Sequence, residues 1–165
     1  MMRSSNTRYR LYTSWRSYLP FLRDLLLMPG NGEAKRPFEE RLGAFLNVPA
    51  VATVPMCRTG IYLAVKHLIR PGQDVVMSPY TIADVVNMVI LAGGRPVFAD
   101  IERGNCNIRV DSVERLLHAG TGAVLVTHLH GIAAPIQEIC DLCGPKGIPV
   151  IEDTAQAFGA KVQGR

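Results

Sequence analysis

Strand-like apolar runs alternate with helix-like patterns along most of this 165-residue chain, and that alternation restricts its fold more than any other feature. Pro49 to Val54 reads as a strand, and Ile61 to Ile69, where apolar residues recur at three and four, as a helix. Pro71-Gly72 ends that helix, because proline cannot continue the hydrogen-bond ladder and glycine accepts a left-handed cap. The series continues with a strand at Asp74 to Met77, a helix at Thr81 to Leu91 closed by Gly93-Gly94, and a strand at Arg95 to Ala99. A helix at Asp111 to Leu117, with Asp111 as its N-cap, precedes a strand at Ala123 to Thr127, a helix at Pro135 to Cys143 and a strand at Ile148 to Ile151. Strands this short and continuously apolar are buried on both faces, which takes helices above and below and favours parallel pairing. The expected fold class is therefore α/β: three layers, a mostly parallel sheet with helices on both faces. Two helical stretches, about Thr13 to Met28 and Pro37 to Leu46, come first, separated by Pro29-Gly30-Asn31-Gly32.

Composition agrees. With 48% hydrophobic and 19% charged residues the chain is neither disordered nor collagen-like, and its length suits roughly one domain. Arg23 and Asp24 interrupt the best membrane-span candidate, Tyr18 to Met28. The net charge of +4 is unevenly placed. Residues 1–36 hold seven bases (Arg3, Arg8, Arg10, Arg16, Arg23, Lys35, Arg36) against Asp24 and Glu33, whereas residues 37–165 hold 11 bases and 12 acids. A near-neutral body lacks the basic face that nucleic-acid binding needs. The arm reads as a solvated tail or surface helix, as a contact for an anionic partner or membrane surface, or, least well, as a targeting peptide. The expected organisation is a basic arm with a helix at 1–36 and one domain at 37–165. Cys57, Cys106, Cys140 and Cys143 make no disulfide framework, and Cys140 and Cys143, three apart on a helix, read as packing rather than zinc or redox residues. The expected compartment is the cytoplasm, and no metal site is expected.

In open parallel sheets, ligands collect outside the carboxyl ends of the strands, where helix N-termini present unpaired N–H groups. Four segments occupy such places. Arg58-Thr59-Gly60, after the first strand, can cradle a phosphate or simply cap a helix through Thr59. Ser78-Pro79-Tyr80-Thr81, after the second, is a turn and cap whose Tyr80 can stack on a flat ring. In His128-Leu129-His130, after the fourth, the histidines can chelate a metal, line a pocket or be structural, and no acidic or Cys partner is near in sequence. Asp153 follows the fifth strand, where a buried carboxylate needs a cationic or N–H partner. A protonated pyridine nitrogen would serve, as would the first turn of a helix.

The ordered set of these segments resembles the N-terminal part of the DegT/DnrJ/EryC1/StrS family of pyridoxal-phosphate-dependent sugar aminotransferases. The similarity runs from about Pro37 to Arg165. It is carried by Phe38-Glu39-Glu40, the turn from Cys57 to Ala64, Pro71 to Val76, Ser78 to Thr81, Leu91 to Asp100, His128 to Gly131 and Ile151 to Ala160. The resemblance implies a partial large domain of the fold type I transferases. It implies that Asp153 pairs with the pyridinium nitrogen of pyridoxal 5'-phosphate, which lets the ring accept electrons from a carbanion. It further implies that Gln156 lies near the ring, that Tyr80 stacks on it, that Arg58, Thr59 and Gly60 cradle the phosphate, and that His128 lines the substrate pocket. Cys57 stands where relatives carry glycine, a change that costs strain if the position needs a left-handed backbone.

In this family the lysine that bonds the cofactor follows the aspartate well downstream. Lys35, Lys66, Lys146 and Lys161 do not fit that place, so no catalytic residue is assigned. The resemblance implies transamination of a nucleotide-linked keto sugar for amino-sugar or polysaccharide biosynthesis, with glutamate as amino donor and a homodimeric full-length form. On that reading these residues are a truncated form. The alternative is a lysine-less, non-catalytic protein that binds the cofactor or pairs with a homologous subunit.

Overall fold

The computed structural model describes residues 15–27 and 34–161. Arg3, Arg8 and Arg10 of the basic arm and the Pro29-Gly30-Asn31-Gly32 break lie outside these residues. The chain divides into two compact units, residues 1–53 and 54–165.

The first unit contains helices α1 (Trp15–Leu27) and α2 (Lys35–Leu46). Asn47 ends α2 in the left-handed region, its N–H closing on the carbonyls of Ala44 and Gly43. The apolar run at 49–54 is extended but joins no sheet among the described residues. The strand expected there is thus corrected, and the reason is physical. A strand is defined by its neighbour's ladder, and the Thr53 N–H is instead taken by Glu39 Oε1 at 2.6 Å, with Thr53 Oγ1 donating to the same oxygen at 2.7 Å. Those two bonds hold the Glu39 carboxyl below its ordinary pKa, with the backbone bond contributing most.

The second unit alternates as the sequence predicts: α3 (Cys57–Leu68), β1 (Asp74–Met77), α4 (Ala83–Leu91), β2 (Arg95–Phe98), α5 (Val110–Leu116), β3 (Thr121–Thr127), α6 (Ile136–Cys143) and β4 (Val150–Asp153). All pairings are parallel, in the order β2-β1-β3-β4. Side-chain alternation divides the core into two layers. Val75 and Met77 of β1 and Ala123 and Leu125 of β3 pack with Ile61 and Val65 of α3 and with Val85 and Val89 of α4. Val76, Val124 and Val126 point the other way, against Val113 of α5 and Ile139 and Cys143 of α6. This is the expected three-layer arrangement. Pro96, which cannot donate to a ladder, is tolerated because β2 is an edge strand.

Asp111 does not cap α5. Arg109 holds that position, and the Asp111 carboxylate in the first turn instead accepts from Arg109 Nε (2.9 Å), Arg109 Nη2 (2.7 Å) and Arg115 Nη1 (2.8 Å). Nor does a glycine cap α3. The helix ends at extended Ile69, and Gly72, at φ 86°, serves the turn before β1, its N–H bonded to Gly93 O. Of the two α6 cysteines, Cys143 is buried in the core and Cys140 is exposed, and burial pushes both thiols above their ordinary pKa.

At the amino ends of the strands Asp74 is buried, with Arg95 Nε 2.5 Å from Oδ1 and His118 Nε2 2.8 Å from Oδ2. The Gly120 N–H donates to His118 Nδ1, so it is the Nε2–H that faces the carboxylate. This cluster ties β1 to its neighbours at the amino end of the sheet, opposite the loops that follow the strands.

Candidate functional site

From β1 the chain winds outward to β2, then crosses back over β1 to β3 and continues to β4. The winding direction therefore reverses between β1 and β3, and a cleft outside the carboxyl ends of those strands is where an open parallel sheet takes its ligand. Two groups of side chains gather at this end.

The first sits over the reversal. Tyr80, after β1, and His130, after β3, place their ring centroids 6.0 Å apart at a 55° tilt. The Tyr80 N–H donates to Ser78 Oγ at 3.1 Å, which fixes the turn, and the His130 N–H donates to Gln156 Oε1 at 3.2 Å. His130 has φ 57° and Gly131 φ 78°, with the Ile132 N–H closing on Leu129 O. Two successive left-handed residues make a tight turn of the primed type, and a non-glycine residue at φ > 0 is strained. Here the strain accompanies an imidazole placed beside Tyr80.

The second group surrounds β4 and the start of α3. Alternation puts Asp153 on the same face as Ile151, toward α3. A cavity of about 440 Å³ is lined there by Val54, Cys57, Gly60, Ile151, Asp153 and Phe158, among others, and no lysine borders it. Asp153 is buried, and its Oδ1 accepts the Ala155 N–H at 3.0 Å in a local turn, so it caps no helix. The Cys57 thiol is raised above its ordinary pKa, first by what burial it has and then by the Asp153 charge.

The proposed phosphate turn needs revising in detail. The N-cap of α3 is Met56, whose carbonyl takes the N–H groups of both Thr59 and Gly60. The N–H groups of Cys57 and Arg58, the first two helical residues, precede any intrahelical acceptor and point toward the positive end of the helix, where an anion can be received. Cys57 is not among the left-handed residues, so cysteine costs no strain there. Gly60 matters for space: a Cβ on it would stand 3.3 Å from Val54 Cγ2. Arg58 turns its guanidinium to Asp84 in the first turn of α4 and to Met56 Sδ.

His128 lies elsewhere. It is buried on the α5/α6 face, its Nδ1 accepting the Ala134 N–H at 2.9 Å and its Nε2–H donating to Glu152 Oε2 at 3.0 Å. Both ring nitrogens are engaged, and the imidazole at the cleft is that of His130. The two histidines diverge and do not act as a chelating pair, and no metal-holding cluster occurs among the described residues.

Comparison with known proteins decides the family. The profile of the DegT/DnrJ/EryC1/StrS aminotransferase family matches residues 27–165. The chain belongs to this family. It is 34% identical over 151 residues to GDP-perosamine synthase of Vibrio cholerae, covering 91% of this chain and 41% of that protein. It is 33% identical over 138 residues to dTDP-4-dehydro-2,3,6-trideoxy-D-glucose 4-aminotransferase of Saccharopolyspora spinosa, covering 82% and 36%. The solved aminotransferase TlmJ of Streptoalloteichus hindustanus superposes with a TM-score of 0.85 at 31% identity, over 93% of this chain and 43% of that one. The chain thus spans about two fifths of the length of these relatives. An Escherichia coli GDP-4-keto-6-deoxy-D-mannose-3-dehydratase with bound hydrated PLP shares the fold, with a TM-score of 0.87 at 19% identity. Pyridoxal phosphate is the family's cofactor. The described residues fit it: a buried carboxylate for a ring nitrogen, the first N–H groups of a helix for a phosphate, and a buried Thr127 oxygen that has no partner among these residues, beside Asp153.

Proposed function

We propose that residues 37–165 are the N-terminal part of the cofactor-binding domain of an aminotransferase, preceded by the basic arm at 1–36, and that the whole protein aminates a nucleotide-linked keto sugar. The observation that carries this reading is the convergence of the Asp153 carboxylate and the start of α3 on one cavity at the carboxyl ends of the strands. Sugar aminotransferases among the relatives support the substrate class.

When bound, pyridoxal phosphate supplies an electron-withdrawing ring that stabilises negative charge on a substrate carbon. Asp153 holds the ring-nitrogen proton, its burial strengthening that pairing. The Cys57 and Arg58 N–H groups and the positive end of α3 hold the phosphate, with Thr59 and Gly60 shaping the turn. Tyr80, with His130 and Gln156 fixed beside it, offers a flat surface for the ring. Glutamate as donor and a homodimeric full-length form belong to the same reading.

Pyridoxamine 5'-phosphate is the suitable probe, because it has no aldehyde to react with surface lysines. Equilibrium dialysis should show saturable binding that Asp153→Asn weakens by about 10- to 100-fold, the worth of a buried charge-assisted hydrogen bond. Asp84→Asn, which releases Arg58, should not weaken it. Equal effects of the two substitutions, or no binding by the unaltered chain, would refute the reading.

A further inference from the structure

Thr127 Oγ1 is the one buried side-chain nitrogen or oxygen among the described residues that has no hydrogen-bond partner. A buried hydroxyl left unpaired is costly, and valine would fill the same volume without that cost. The position makes the hydroxyl informative. Thr127 closes β3 directly opposite Asp153 in the β3–β4 register, and it follows Ala123 and Leu125 on the face that packs toward α3. Register neighbours on one face of a parallel pair are close enough for side chains to meet. One oxygen of the Asp153 carboxylate is committed to the Ala155 N–H, and an ionised carboxylate has acceptor sites to spare. Thr127 Oγ1 is also sealed from solvent, so a ligand entering the cavity meets Asp153 and not the threonine.

We propose that Thr127 is a positioning residue for Asp153: its hydroxyl donates to the carboxylate when the latter turns to receive the proton of the cofactor ring nitrogen, and fixes the plane of that carboxylate. The proposal rests on the cofactor reading above. Binding of the ring and pairing of the orphaned hydroxyl then occur together, so the hydrogen bond missing from the free chain is gained in the complex. The threonine does not touch the ring and moves no proton of the reaction. Its effect passes through Asp153.

The test is a double-substitution cycle read by pyridoxamine 5'-phosphate binding and by thermal melting of the unliganded chain. Thr127→Val should weaken binding about 5- to 10-fold, while its melting temperature equals or exceeds that of the unaltered chain. Thr127→Ser, which keeps the hydroxyl, should bind within about twofold of the original. In an Asp153→Asn background, Thr127→Val should cause little further loss, because the residue it positions is altered. If Asp153→Asn weakens binding and Thr127→Val does not, the proposal fails and the cofactor reading stands. An equal loss from Thr127→Val in both backgrounds, or a Thr127→Ser variant as weak as Thr127→Val, also overturns it. If Asp153→Asn has no effect, or the unaltered chain does not bind, the cofactor reading fails and takes the proposal with it.

Discussion

Replacing Asp74 with asparagine removes the charge from the buried cluster at the amino ends of the strands while preserving its shape. Two donors lose an ionised acceptor: Arg95 Nε at 2.5 Å and His118 Nε2 at 2.8 Å. A hydrogen bond to a charged group contributes about 1.5–3 kcal/mol when sheltered. Here both partners are more than half exposed and can return to water, which reduces each to about 1 kcal/mol. The amide N–H2 left buried facing those donors adds up to about 1 kcal/mol. The expected loss is therefore about 2–3 kcal/mol, or roughly 10 °C in melting temperature for a domain of this size. Its pH dependence gives the sharper test. The Arg95 hydrogen bond, with a smaller contribution from His118, holds the Asp74 carboxyl below its ordinary value against the opposing effect of burial. A carboxyl whose folded pKa is depressed stabilises the fold above its unfolded pKa of about 4, and that contribution is lost as pH falls through the lower folded value. Melts followed by circular dichroism from about pH 7 to pH 2 should show the two proteins converging in acid. A gap of less than about 2 °C at neutral pH, or one that persists when the carboxyl is protonated, would refute the argument.

Gly94→Ala should cost about 1–3 kcal/mol in urea denaturation, because its Cβ would lie 2.8 Å from Ile69 Cδ1 and 3.1 Å from Val75 Cγ2 and Val89 Cγ1, all in the packed core. Cys57 should react with iodoacetamide at neutral pH more slowly than a free thiol, since burial and the Asp153 charge raise its pKa, and Asp153→Asn should speed the reaction. Borohydride reduction of the chain mixed with pyridoxal phosphate should label no single lysine selectively, as none lines the Asp153 cavity; peptide mapping checks this.

The layered fold was legible because periodicity and turn residues are local signals, and each strand from Asp74 onward finds a neighbour within the chain. The run at 49–54 carries the same apolar signal but pairs with no strand among the described residues, which no local pattern reports. Asp153 was visible as a carboxylate directly after a buried strand. Its neighbour Thr127 was recoverable only with the β3–β4 register in hand, since that register sets the two residues opposite each other. That His130 and not His128 faces Tyr80 follows from a left-handed turn at His130, a conformation uncommon for residues other than glycine and so not readable from the histidine pair. The Arg58–Asp84 contact joins residues 26 apart and belongs to tertiary structure alone.

The opposed placement of the Asp74 cluster and the loops at the carboxyl ends of the strands bears on how such a domain can diversify. β1 is four residues long, so the anchor at its start and the Tyr80 turn after its end are separated by roughly 13 Å of rigid backbone. Libraries randomised at the exposed loop positions Ile82, Ile132 and Thr154, sparing buried Ser78, Leu129 and Ala157, should consequently yield mostly foldable proteins, so this end of the sheet can vary without the scaffold being rebuilt.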